Sequence, residues 1–199
     1  MKKILYIFIL MIVSISLFAQ TNKSETLISI KGTSIKNIGE IKDIWDTGSA
    51  IYLSYENISS NQFSYMFQTG YMQFKENPNH DFQGQDANFN IIPLQIGGRY
   101  YILANSIRPF LMAMSGLNIV KSNYPIYRIN KDDEKEILLE SGTTTKLNFQ
   151  VGLGLALKLF SNLQIEVIAN YNSHILDAPT HYSLTGLELG AGFNWVISN

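Results

Sequence analysis

From Lys146 to Phe160 the chain reads KLNFQVGLGLALKLF. Leu147, Phe149, Val151, Leu153, Leu155, Leu157 and Leu159 fall on one face, and Lys146, Asn148, Gln150, Gly152, Gly154, Ala156 and Lys158 on the other. A period of two is the signature of a β-strand with unlike faces. The pattern recurs at 63–72, 92–102, 163–172 and 186–197. Residues 107–120 carry apolar side chains on both faces, which leaves the facing of that strand open. Shorter stretches at 26–35 and 47–57 complete a set of eight predicted strands.

The connections between them run 36–46, 58–61, 76–88, 104–106, 121–143, 161–162 and 174–182, long alternating with short. The short ones carry turn residues, ISSN, ANS and SN. All tight turns therefore fall at one end of the sheet and all long loops at the other. An antiparallel up-and-down meander has this geometry, and an even number of strands lets it close as a barrel. The expected fold is all-β, an eight-stranded antiparallel barrel.

Alternation does not say which face is inside. A soluble barrel holds its apolar face inward, and a transmembrane barrel outward. Three features predict the membrane arrangement. The polar face carries Gly70, Gly97, Gly152, Gly154, Gly186, Gly190 and Gly192; glycine weakens a solvent-facing strand but suits a crowded eight-stranded lumen. The strands are long: at ~3.3 Å per residue, 146–160 spans about 50 Å, against about ten residues for a membrane strand. Tyr55, Tyr100, Tyr171, Phe193 and Trp195 lie on the apolar face where interfacial girdles form.

At 199 residues the chain has the length of one domain. A net charge of −1 leaves no electrostatic footprint for nucleic acid. The absence of cysteine excludes a lipidated cysteine anchor, zinc–thiolate sites and cysteine nucleophiles. Lys2 and Lys3, an apolar run from Ile4 to Phe18 and a small residue at Ala19 predict a secretory signal peptide, residues 1–19. The run is shorter than the ~20 residues of a spanning helix. Residues 20–199 then form a single exported barrel domain.

The signal ending FAQ, the segment IIPLQIGGRYYI leading into NSIRPFLMAMSGLNIV, and the closing LELGAGFNWV resemble the small outer-membrane β-barrel proteins of Gram-negative bacteria. These are the eight-stranded barrels typified by OmpX, OmpW and the OmpA membrane domain. The resemblance implies an outer-membrane location, short periplasmic turns, long outer loops, a monomer, and delivery by the barrel assembly machinery. It also implies contact with outer-membrane lipid and lipopolysaccharide. The family's last strand usually ends on an aromatic, whereas here Trp195 is followed by VISN.

The polar face places Glu56, Arg99, Lys146, Lys158, Glu166 and Glu188 in the lumen, with Lys31 and Arg108 as further candidates. Buried charges need partners, so these residues predict a salt-bridge network filling the barrel. A three-residue turn at 160–162 puts Lys158 opposite Gln164 and diagonal to Glu166. Met66, Met72, Met112 and Met114, if inward, add apolar lining.

His80, His174 and His181 fall in or beside outer loops. His181-Tyr182-Ser183 is similar to the His-x-Ser pair of outer-membrane lipid A deacylases, but Leu184 stands where that family carries asparagine. KDDEKE at 131–136 reads as a solvated loop or a divalent-cation contact between lipopolysaccharide heads. No cofactor motif or metal-ligand spacing is present. Three functions remain open: a structural or surface-interaction barrel with loop 121–143 as its contact surface, a narrow channel for small or hydrophobic solutes, and a deacylase-like hydrolase. The first is the expected one, with no enzymatic activity.

Overall fold

The computed structural model describes residues 25–39, 42, 45–59, 62–77, 89–103, 106–123, 125–129, 135–139, 141–176 and 183–198. The predicted signal peptide, His80, His181 and residues 131–134 lie outside the described residues. Among the described residues ten strands follow one another: β1 (Glu25–Asn37), β2 (Trp45–Ile58), β3 (Phe63–Glu76), β4 (Phe89–Tyr101), β5 (Ile107–Ser122), β6 (Ile126–Ile129), β7 (Lys135–Leu139), β8 (Gly142–Lys158), β9 (Leu163–Leu176) and β10 (Ser183–Ser198). Eight of them close a barrel in the order β1-β10-β9-β8-β5-β4-β3-β2, every neighbour antiparallel.

The stretch expected at 26–35 is a full strand, and it is half of the seam. β1 pairs with β10 from Thr26–Ser198 to Asn37–Gly186. With that seam made, the sheet has no free edge, so each barrel strand has a partner on both sides. The three short connections share one end, and the residues that flank them are bonded to each other. Leu159 donates its N–H to the Leu163 carbonyl at 3.0 Å, Ser59 to Phe63 at 3.1 Å and Ile102 to Pro109 at 2.8 Å.

The opposite end carries the long connections. One of them departs from the expected plain loop at 121–143. β5 runs on to Ser122, β8 begins at Gly142, and β6 and β7 between them form a separate two-stranded hairpin. Membrane thickness does not cap a strand's length; hydrogen-bonded pairing continues as long as both chains stay extended. Gly142, at φ 119°, makes the corner into β8 that a side chain would resist.

The faces are those of a membrane barrel. Ile51 is 53% exposed, Leu153 58% and Leu189 66%, while Gln95, Asn172 and Glu188 are at 0%. An apolar exterior on all eight strands is far larger than the patches soluble proteins leave in water, and it matches lipid. Closure then satisfies backbone groups internally where no water reaches them. β5 resolves in favour of its even positions: Phe110, Met112, Met114, Asn118 and Val120 point inward, Leu111, Ala113 and Leu117 outward.

Candidate functional site

The lumen is built in layers. The turn end is filled by Leu27, Ile58, Met66, Tyr101, Phe110, Met112, Met114, Ala156 and Ile168. The loop end is filled by a second apolar group that includes Ile35, Trp45, Tyr52, Met72, Phe74, Phe89, Ile91 and Val120. Trp45 stacks on Phe89 with ring centroids 5.5 Å apart. All four methionines singled out from the sequence therefore line the interior.

Buried polar side chains converge between these apolar groups. Arg99 of β4 forks onto Glu166 of β9, Nη1 to Oε2 at 2.8 Å and Nη2 to Oε1 at 3.1 Å. The same Nη1 lies 3.1 Å from Glu56 Oε2 on β2. The planar guanidinium suits such a two-carboxylate bridge. Its carbon also sits 4.3 Å from the centre of the Phe110 ring. Glu56 accepts further bonds from Ser64 Oγ at 2.5 Å and from the Tyr101 hydroxyl at 2.7 Å. Glu166 accepts one from Asn194 Nδ2 at 3.0 Å. Lys31 of β1 completes the cluster, its Nζ 3.7 Å from Glu166 Oε1.

From Lys31 a ladder of amides crosses the lumen. Lys31 donates to Gln68 at 2.7 Å, Gln68 to Gln95 at 2.9 Å and Gln95 to Asn148 at 3.4 Å. Asn148 donates on to Asn118, and Asn118 to the His174 carbonyl. Glu188 forms no direct ion pair among the described residues. Its Oε2 accepts from Gln150 at 2.9 Å, Asn172 at 3.3 Å and Asn170 at 3.5 Å, so amide dipoles take the place of a countercharge.

Of the six charges expected in the network, the structure joins Arg99, Glu56 and Glu166 directly and sets Glu188 in its own amide cage. Lys146 is half-buried toward the loop end of β8, opposite Asn118. Lys158 does sit opposite Gln164. It does not bridge to Glu166 as expected: its ion pair is with Glu25, at 3.9 Å, at the turn-end mouth. Arg108 holds the same Glu25 at 2.9 Å. The reason is depth. Lys158 is the last residue of β8 and part-exposed, whereas Glu166 points into the centre and is already bonded by Arg99.

Sequence reasoning missed the amide ladder and the inward aromatics Trp45, Phe74, Phe89 and Phe110. Gln68, Gln95 and Asn148 were legible as polar-face residues, but nothing in the alternation tells a bonded amide from a solvated one. His174 lies near the loop end of β9, beside an outer connection as expected, but it is fully buried, its ring edge-on to Phe74 at 5.4 Å. The backbone of Ser183 begins β10.

No family model matches the chain, and no curated protein sequence is similar to it. Solved structures share its fold. Neisserial surface protein A superposes with a TM-score of 0.62 at 14% identity, over 88% of this chain and 100% of that one. The Pseudomonas aeruginosa outer membrane protein OprG gives 0.53 at 12% identity over 90% and 99%. The Yersinia pestis attachment invasion locus protein Ail, solved with the heparin analogue sucrose octasulfate, gives 0.52 at 15% identity over 87% and 99%. The identities are low and the coverage is nearly complete, so the likeness is one of architecture: the chain has the fold of the small eight-stranded outer-membrane β-barrels.

Proposed function

We propose that this protein is an integral outer-membrane barrel with a structural and surface-display role, not an enzyme and not an open pore. One observation carries the reading: the lumen is filled by a bonded polar cluster and by apolar groups toward both ends. A water-filled channel keeps a continuous polar lining, and this interior is interrupted by side chains such as Tyr52, Met72, Phe110 and Met112. The barrel then serves as a rigid mount for its outer connections, of which the β6–β7 pair is the largest piece of regular structure among the described residues. The segment 121–143 is the contact surface for an outside partner, the protein acts as a monomer, and its chain reaches the membrane through the barrel assembly machinery.

Planar-bilayer recording of the refolded protein tests the reading. A filled lumen gives no stable single-channel steps. Reproducible steps that scale with salt concentration would mean that the layers part, and the narrow-channel reading would replace this one.

A further inference from the structure

Among the described residues, the fully buried lumen holds one carboxylate more than it has cations. Lys31 and Arg99 stand against Glu56, Glu166 and Glu188. Both cations are engaged by Glu56 and Glu166. His174, also buried, packs on Phe74 and takes part in no ion pair among the described residues. The part-exposed group of Glu25, Arg108 and Lys158 sits apart at the turn-end mouth. The unmatched carboxylate is Glu188, and an uncompensated buried charge is costly.

The amide cage serves only one of its oxygens. Gln150, Asn170 and Asn172 all donate to Oε2, while Oε1 is buried with no hydrogen-bond partner. The Tyr52 hydroxyl neighbours both Glu188 and Thr33. Neither that hydroxyl nor Thr33 Oγ1 has a hydrogen bond within normal geometry. The carbonyl oxygens of Gln150 and Asn172 are buried and unpartnered too, because the carboxylate claims the N–H side of each amide. These five residues come from consecutive strands of the barrel, β2, β1, β10, β9 and β8. The register keeps them in one band. Thr33 lies opposite Gly190, two residues from Glu188, and Asn172 opposite Gln150. Gly190 leaves room for the Thr33 methyl, which a Cβ there would strike.

We propose that Glu188 Oε1, Tyr52 Oη and Thr33 Oγ1, with the carbonyl oxygens of Gln150 and Asn172, bind a single monovalent hard cation of the sodium type. An oxygen-only donor set suits a hard ion. The charge balance sets its valence: one positive charge neutralises Glu188, and two would reverse the imbalance. A proton on Oε1 would occupy one of these oxygens and leave the others orphaned, whereas a metal ion bonds them together. Among the described residues no three His, Cys, Asp or Glu side chains gather as a metal site. This one is made of amide and hydroxyl oxygens around a lone carboxylate, drawn from five strands, so no spacing along the chain announces it. Its ion ties β10 to β1 and β2 across the seam. The site depends on the closed barrel alone and not on the surface-display reading.

The test uses the full chain refolded from urea into micelles of an uncharged detergent, with sodium chloride exchanged for choline chloride at constant ionic strength. An ion bound only by the folded state raises the folding equilibrium constant in proportion to its concentration above Kd, about tenfold for each tenfold increase in sodium. Wild type is expected to show this rise in urea unfolding and to carry radioactive sodium through gel filtration, one ion per folded chain. Glu188→Gln, neutral and of nearly the same shape, is expected to be equally stable in both salts and to carry no label. Tyr52→Phe keeps the ring and loses one ligand, so its rise is expected to begin at higher sodium. Equal wild-type stability in sodium and choline overturns the proposal. So does label carried equally by wild type and Glu188→Gln. Calcium that stabilises wild type more than sodium does overturns the monovalent assignment. If Glu188→Gln forms no heat-shifted gel band, Tyr52→Phe decides, and a sodium curve identical to that of wild type overturns the site.

Discussion

Arg99 is the residue on which the interior most depends. It is 1% exposed and stands between two carboxylates that are themselves at most 1% exposed. Truncating one partner of such a cluster leaves uncompensated charge, a loss of about 3–5 kcal/mol. Replacing a pair with apolar side chains of similar size is often close to neutral. Arg99→Met alone is therefore expected to lower unfolding stability in urea by about 3–5 kcal/mol. Arg99→Met combined with Glu56→Gln, which leaves Lys31 paired with Glu166, is expected to recover at least half of that loss. A double variant as unstable as the single one would show that packing around the guanidinium, including Phe110, matters more than charge. Gly192 shows the same crowding from the backbone side. A Cβ there would come within 2.5 Å of Lys31 Cγ and of the Ile30 carbonyl, so the lumen accepts the lysine only because its neighbour on β10 has no side chain.

At the scale of elements, strand register decides which residues meet. A strand shifted by one residue turns its whole apolar set toward the lumen. A one-residue insertion between Leu153 and Gly154 in β8 is thus expected to abolish the barrel, read as loss of the faster or slower unheated gel band. Removal of residues 125–139, which hold β6 and β7, is expected to leave that band intact, because the hairpin pairs only with itself. Loss of the band on hairpin deletion would give the hairpin a role in folding. The elements themselves were largely legible in the sequence. The opening alternation at 146–160 corresponds to β8, Gly142–Lys158, with its leucine face outward. β5 resisted because Phe110, Met112 and Met114 are apolar and inward, filling the turn-end group where polarity was the only available guide. The fork from Arg99 to Glu166 was not legible as a pair. β4 and β9 are not neighbours, so their contact crosses the lumen and follows from barrel closure, not from any spacing along the chain. Lys158 was misassigned for the complementary reason: strand pairing gave its neighbours, but not the depth at which the strand ends.

At the scale of the whole molecule, every barrel strand is held by two others and the interior bonds link strands that are not adjacent. Such a closed sheet is expected to resist cold dodecyl sulfate, so the unheated and boiled proteins should run at different positions on a gel of the membrane fraction. Identical mobility, with the protein recovered in soluble form, would reject the membrane barrel and leave its exposed leucines unexplained.

The seam between β1 and β10 has a consequence for the order of events in making the molecule. Thr26 is paired in register with Ser198 across the seam, so the two strands that seal the barrel are the first and the last of its eight to be synthesised. Until β10 arrives, every shorter chain presents two open edges and an apolar face with nothing to cover it. Bringing ends so distant in sequence together is entropically costly and kinetically slow. The topology therefore imposes a waiting period, in which the entire chain must be kept extended and separate from its copies. The part of the protein that awaits a partner longest is the strand that leads it, β1.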